Sequence, residues 1–197
     1  MDIQEQKQYF LNLAKQNIKR EGIDKLLEYL EKTDFFEAPA STKFHSNFLG
    51  GLCFHSLKVY ERFVKRLQTE YGEAWQDKVS LETACIIALF HDICKVNTYK
   101  TDVKNVKENG VWVQKPYFAY SDPLPYGHGE KSVYIINGFL RLTREEAMAI
   151  NWHMGSFDPR VKGGFYGLEN VFYSYPTALL FHLADIEATY LDETQEN

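Results

Sequence analysis

Apolar residues recur at helical spacing along most of the chain. Residues 3–19 and 22–32 each read as an amphipathic helix, with Gly22 as the break between them. From 34 to 53 the periodicity lapses, and Pro39, Gly50 and Gly51 interrupt any regular pattern. Leu57, Tyr60, Val64 and Leu67 fall on one stripe and predict a helix over 54–71. Leu81, Ala84, Ala88 and His91 share a face and predict another over 81–93. The pattern then changes to alternation on both sides of Glu108-Asn109-Gly110. Asn-Gly suits the positive φ angles of a tight turn, so 97–120 is predicted to be a β-hairpin. Helices are predicted over 129–140 and 144–153, the second opened by the capping-box pair Thr143 and Glu146. The glycine-rich, aromatic stretch 155–173 predicts a loop, and 176–192 a final helix. The chain therefore reads as one mostly α domain over 1–197, with amino-terminal helices in 1–33 and a β-hairpin inserted at 97–120.

Composition narrows the class. A chain of 197 residues is long enough to bury a sizeable core. The formal net charge of −5, with no long run of either sign, argues against a broad electrostatic nucleic-acid surface and leaves a local basic rim open. No stretch approaches the ~18 apolar residues of a membrane span, and MDIQEQKQYF lacks a signal-peptide pattern. Cys53, Cys85 and Cys94 form no CxxC pair and read as reduced, packed thiols. These features together predict a cytoplasmic protein with no membrane partner.

Six histidines make it practical to weigh each one. His91-Asp92 closes an apolar helix. The pair reads either as a core imidazole beside a terminal acid or as a mixed donor set suited to Mn, Fe, Co, Ni or Zn. Asp185 follows Ala178 by seven residues and Phe181 by four, which puts its carboxylate on the apolar face of the last helix. A buried carboxylate calls for a cation, supplied by Arg or Lys or by a metal. His55 begins a helix and is a third candidate.

Taken in chain order, His55, His91-Asp92 and Asp185 resemble the H…HD…D signature of HD-domain phosphohydrolases. The flanking text Phe44-His45-Ser46-Asn47-Phe48-Leu49-Gly50-Gly51-Leu52 and Phe90-His91-Asp92-Ile93-Cys94-Lys95 is similar to the HD domain of YhaM-type 3′→5′ exoribonucleases, over roughly residues 39–190. The resemblance implies an HD-domain helical bundle around one or two divalent ions (Mn, Fe, Co, Ni, Zn or Mg). Carried over by position, His55, His91, Asp92 and Asp185 ligate the first metal. His128 and His153 hold a second, with Asp92 bridging; Met154 stands where some binuclear relatives carry a further histidine. The implied activity is that of a phosphomonoesterase or phosphodiesterase acting on a nucleotide or short oligonucleotide through metal-activated water, with Asp92 and Lys95 in the chemistry. The alternatives are a 3′→5′ exoribonuclease-like activity on short single-stranded RNA and a non-catalytic, metal-bound nucleotide sensor.

Other residues carry weaker signals. Lys95 reads equally as a phosphate partner and as a cation at a helix carboxyl end. Arg160 and Lys162 lie among Phe157, Phe165 and Tyr166 and read as substrate cations or as solvated loop residues. Tyr117, Phe118, Tyr120 and Tyr126 read as a base-stacking wall, with Tyr126 toward substrate, or as anchors of the hairpin. His182, three residues before Asp185, is placed to orient that aspartate; His45, ahead of His55, is placed to line the cleft or hold its loop.

Overall fold

The computed structural model describes residues 2–193. Helix α1 (Ile3–Asn17) starts at a capping box, Asp2 with Glu5, that satisfies donors at its first turn. Helix α2 (Ile23–Lys32) follows across Gly22. Helix α3 spans Gly51–Tyr71 and α4 spans Leu81–Phe90. Every residue of α4 from Ala84 to Phe90 is buried, so this short, uniformly apolar segment is the centre of the molecule rather than an amphipathic surface helix. It is surrounded by α1, α3 and α6 (Arg144–Asn151). Helix α9 (Pro176–Glu187) lies across α3 and α6, and α5 (His128–Asn137) packs on α6. At the amino-terminal end, Phe10 meets Phe35, Phe36 and Phe90 with ring centroids 5.1, 5.5 and 5.9 Å away, which ties α1 and the loop beyond α2 to α4.

The hairpin is present as expected. Strands β1 (Tyr99–Glu108) and β2 (Val111–Tyr120) pair antiparallel with Glu108 opposite Val111. Asn109 and Gly110 turn between them at φ 48° and 85°, the backbone that an Asn-Gly pair tolerates. The architecture is therefore mostly helical with a small β element, and among the described residues no helix is long and apolar enough to cross a membrane.

Three boundaries differ from the sequence reading. The stretch 155–173 is not simply a loop: it contains a 3₁₀ turn (Gly155–Phe157), α7 (Pro159–Lys162) and α8 (Leu168–Ser174). Asp158 caps α7 and Pro159 occupies its first turn, a local start signal that the glycines of the segment obscure. Helix α4 stops at Phe90, and a single 3₁₀ turn, Ile93–Lys95, comes next, so His91 and Asp92 lie at the break rather than inside a helix. The last helix ends at Glu187 and continues as a π-helical turn, Ala188–Asp192. Turns of this kind shift the register of the residues beyond them and concentrate at functional sites.

Gly51 decides how α3 meets the loop before it. A Cβ at that position would lie 2.0 Å from the Ser46 carbonyl oxygen and 3.2 Å from the Ala40 nitrogen, both rigid backbone atoms. Gly51→Ala is expected to cost about 1–3 kcal/mol through overpacking. Urea unfolding at fixed metal concentration checks this, and an unchanged midpoint would contradict the close approach.

Candidate metal centre

Five separate segments deliver the polar core. His55 stands in the second turn of α3, His91 and Asp92 at the end of α4, His128 at the start of α5, His153 just past α6, and Asp185 on α9. All but His128 and Asp185 are buried. The Nε2 of His55 lies 3.5 Å from Asp92 Oδ2 and 3.3 Å from Asp185 Oδ1. That of His91 lies 3.6 Å from Asp92 Oδ2 and 4.0 Å from Asp185 Oδ1. On the other side of Asp92, Oδ1 is 2.7 Å from His128 Nε2 and 3.5 Å from His153 Nε2. The six residues singled out as ligands from the sequence therefore converge on one centre.

The outer nitrogens fix the tautomers. His91 Nδ1 is 2.9 Å from the Ala88 carbonyl and His153 Nδ1 is 2.6 Å from the Ile150 carbonyl. A carbonyl only accepts, so both Nδ1 atoms carry hydrogen and both Nε2 lone pairs point inward. His55 is oriented in the same way, its Nδ1 2.7 Å from Glu193 Oε1. The Nε2 atoms of His55 and His91 face each other at 3.2 Å. Two imidazole lone pairs beside two buried carboxylates form a set of acceptors, and such a set is stable only around something positive.

Among the cluster's own groups, protons and Lys95 meet the negative charge. Burial works against charging His55, but Glu193 and Asp185 outweigh it and push its pKa up to about 10. His128 is likewise carried against its burial to about 10, by Cys94 and Asp92. Burial holds His91 down at about 3. Despite their own burial, Asp92 is held well below the usual carboxylate range, chiefly by Lys95 and His91, and Asp185 is held below it by His55. Lys95 Nζ sits 2.6 Å from Asp92 Oδ2.

This donor set fits a divalent cation. His55, His91 and Asp185 bring ligand atoms within 4.8 Å of one another, as do His91, Asp92 and His153, and also Asp92, Cys94 and His128. Imidazole with carboxylate suits the borderline first-row ions, and the thiol of Cys94 would bias the third group toward softer ones. Asp92 belongs to two of these groups, as a bridging carboxylate would.

The secondary assignments divide. His45 lines the cleft, its ring 4.9 Å from that of His55, and burial lowers its pKa to about 4. Lys95 and Lys162 also line the cleft. His182 does not orient Asp185; its Nδ1 donates to the His153 carbonyl at 2.5 Å and so steadies the segment carrying that ligand. Arg160 does not serve the cleft. It binds Asp158 and Glu130, reaches the Asn151 carbonyl, and lies 3.9 Å over the Trp152 ring, which uses its whole guanidinium. Tyr126 stacks on Tyr134 at 5.2 Å outside the cleft lining, and Tyr117 donates to Asp102; Tyr99 and Tyr120 are the hairpin tyrosines that reach the cleft.

Glu193 has no signal in the sequence, lying in a polar run just past the predicted helix. The π-helical turn carries it back inward, with its N–H on the Ala188 carbonyl. Arg62 pairs with Asp192 and Arg66 with Glu187, fastening this segment to the helix that bears His55. Ser46 donates to the second carboxylate oxygen of Glu193. Cys94, which sequence reasoning treats only as a packed thiol, lies 3.4 Å from His128 Nδ1.

Comparison with protein-family models, with curated proteins and with solved structures finds no match for this chain.

A carboxylate that orients a ligating imidazole is typically worth about ten- to a hundredfold in metal affinity. Glu193→Ala is accordingly expected to weaken Mn²⁺ binding by about that factor in calorimetric titration. Glu193→Gln, which still accepts from Nδ1–H, is expected to recover part of the loss. Equal affinity in all three proteins would remove Glu193 from the site.

Proposed function

We infer that the protein is a metal-dependent phosphoester hydrolase of the HD-domain type, acting on a nucleotide or short oligonucleotide. The observation that carries this reading is the convergence of His55, His91, Asp92, His128, His153 and Asp185, with Lys95, beside a cavity of about 830 Å³ that all of them except His91 line. The ordered ligands on successive elements of a mostly helical chain support the HD-domain assignment. The volume falls in the range of small-ligand sites.

The rest of the cleft suits a substrate that is anionic at one end and aromatic at the other. Lys43 and Lys162 are exposed at its walls, with Phe44, Phe157, Tyr120 and Tyr190 beside them. Flat rings that are open to solvent offer stacking surface to a base, and the ammonium groups offer attraction to phosphate. A divalent cation, when bound, supplies Lewis acidity toward phosphoryl oxygens and acidifies water near neutral pH. The chain's own contribution is positional. Asp92 and Asp185 bring negative charge that makes cation binding favourable, and the Ala88, Ile150 and Glu193 acceptors lock three imidazoles in one tautomer. Burial works against the charge on Lys95, but Asp92 outweighs it, so the side chain keeps its proton. Its ammonium, facing the cavity, is placed to neutralise a non-bridging phosphate oxygen as charge builds there.

Mn²⁺ is expected to stimulate cleavage of bis-p-nitrophenyl phosphate or of the corresponding monoester. Asp92→Ala should abolish both metal retention and turnover. Lys95→Ala should keep the metal and lower kcat about 10²–10³-fold, as loss of one electrostatic donor does elsewhere. A parent protein that retains metal and cleaves neither ester nor any nucleotide would displace this reading in favour of a metal-bound sensor.

A further inference from the structure

The two faces of the hairpin are unlike. Strand register places Asp102 opposite Tyr117, Lys104 opposite Lys115, Val106 opposite Val113 and Glu108 opposite Val111 on one face. Most of that face is paired within itself, with Val111 left 64% exposed. Val106 and Val113 are half-buried, Tyr117 donates to Asp102, Lys104 lies 5.2 Å over the Tyr117 ring, and Lys115 pairs with Glu108.

The opposite face carries Tyr99 with Tyr120, Thr101 with Phe118, Val103 with Pro116, Asn105 with Gln114, and Lys107 with Trp112. Three of its apolar groups are turned to solvent, Trp112 at 68% exposure, Tyr120 at 66% and Val103 at 58%, while Tyr99 and Phe118 are half-buried. The base of this face is already part of the functional cleft, because Tyr99 and Tyr120 line the cavity that contains Asp92 and His128. From there, strands of ten residues extend the surface outward by about 30 Å.

Charge indicates what lies along it. The chain has a net charge of −5, yet residues 99–120 carry four lysines against one aspartate and one glutamate, a local excess of two positive charges. On the proposed face itself Lys107 is the one charged side chain, and a ribbon of aromatic and amide side chains that carries a cation and no acid matches a flexible polyanion with stackable faces. A mononucleotide held at the metal centre is too short to use Trp112.

We propose that this face of the hairpin is a binding track for a single-stranded oligonucleotide whose scissile phosphate lies in the metal cleft. The bases stack on Tyr120, Phe118 and Trp112, and Lys107 neutralises backbone charge at the far end. The assignment of the scissile position rests on the hydrolase reading above; the track itself does not.

The test compares di- and octanucleotides of thymidylate and uridylate by fluorescence anisotropy, with hydrolysis of bis-p-nitrophenyl phosphate measured alongside. The parent is expected to bind the octamer at least about tenfold more tightly than the dimer. A Trp112→Ala/Lys107→Ala double variant, altered only at exposed positions, should lose that gain while its dinucleotide affinity and ester hydrolysis stay unchanged. Trp112→Tyr should retain the gain. A response confined to one of the two polymers keeps the track and identifies which strand it serves. No length dependence in the parent, or one that survives in the double variant, overturns the track and leaves the hydrolase reading standing. Length-dependent binding in a parent that cleaves no ester overturns only the hydrolase reading. A concentration-dependent dimer of the parent that the double variant abolishes, without a length effect, would overturn the track and assign the ribbon to a second copy of the chain.

Discussion

The structure depends on keeping a negative charge on Asp92 at the centre of a helical bundle. The side chain is 2% exposed, and an isolated carboxylate there would be unstable by several kcal/mol. It survives because Lys95 from its own segment, His55 from α3 and His128 from α5 bring positive charge to it, while His91 and the His153 at the end of α6 turn their Nε2 atoms toward it. Few of these groups have another reason to be buried. Removing the requirement would leave α4 as an ordinary apolar core helix and its neighbours free to repack. With the requirement in place, the positions of α3, α5, α6 and α9 around α4 are fixed within hydrogen-bonding tolerance. A polar cluster of this kind specifies one arrangement more narrowly than apolar contacts do.

Much of this is legible in the residues. The Asn-Gly turn sets the hairpin because few other dipeptides accept two positive φ angles in succession. The helices are readable from apolar spacing, and the capping box at Thr143 places the start of α6. Burial cost singles out Asp185 on its apolar face; the full set of His55, His91, Asp92, His128, His153 and Asp185 is legible only through the resemblance to HD-domain phosphohydrolases. Geometry without a local signature escapes such reasoning. Glu193 reaches His55 only because a π-helical turn rotates it inward, and no spacing rule for an α-helix anticipates that. Arg160 looks free in the sequence and is consumed by partners from three other positions, Asp158, Glu130 and Asn151, which only tertiary contact reveals. Helical spacing places His182 beside Asp185, yet its ring turns toward the His153 carbonyl.

On the proposed reading, the cleft and the hairpin would divide the work of recognition. The cleft is open at its aromatic walls but holds the buried charged cluster together with Lys95, so that part of it suits chemistry that profits from low dielectric. The hairpin is exposed and mildly basic, so it suits contacts that are individually weak and screened by salt. Tyr99 and Tyr120 belong to both: their rings lie 6.2 Å apart on the first rung of the ribbon and on the wall of the cavity. A substrate that spans the two regions would be read at one end by charge geometry and along its length by area.

The distance in sequence between His55 and Glu193, 138 positions, bears on how the molecule matures. Until Glu193 docks, the His55 imidazole lacks the carboxylate that orients it. An inorganic ion captured at that stage would be held loosely and exchanged readily. An ion held by His55 and Asp185 would crosslink a very long loop, and linking such a loop restricts the unfolded ensemble more than a local contact would. A bound ion would then stabilise the folded chain in proportion to the free ion available to it.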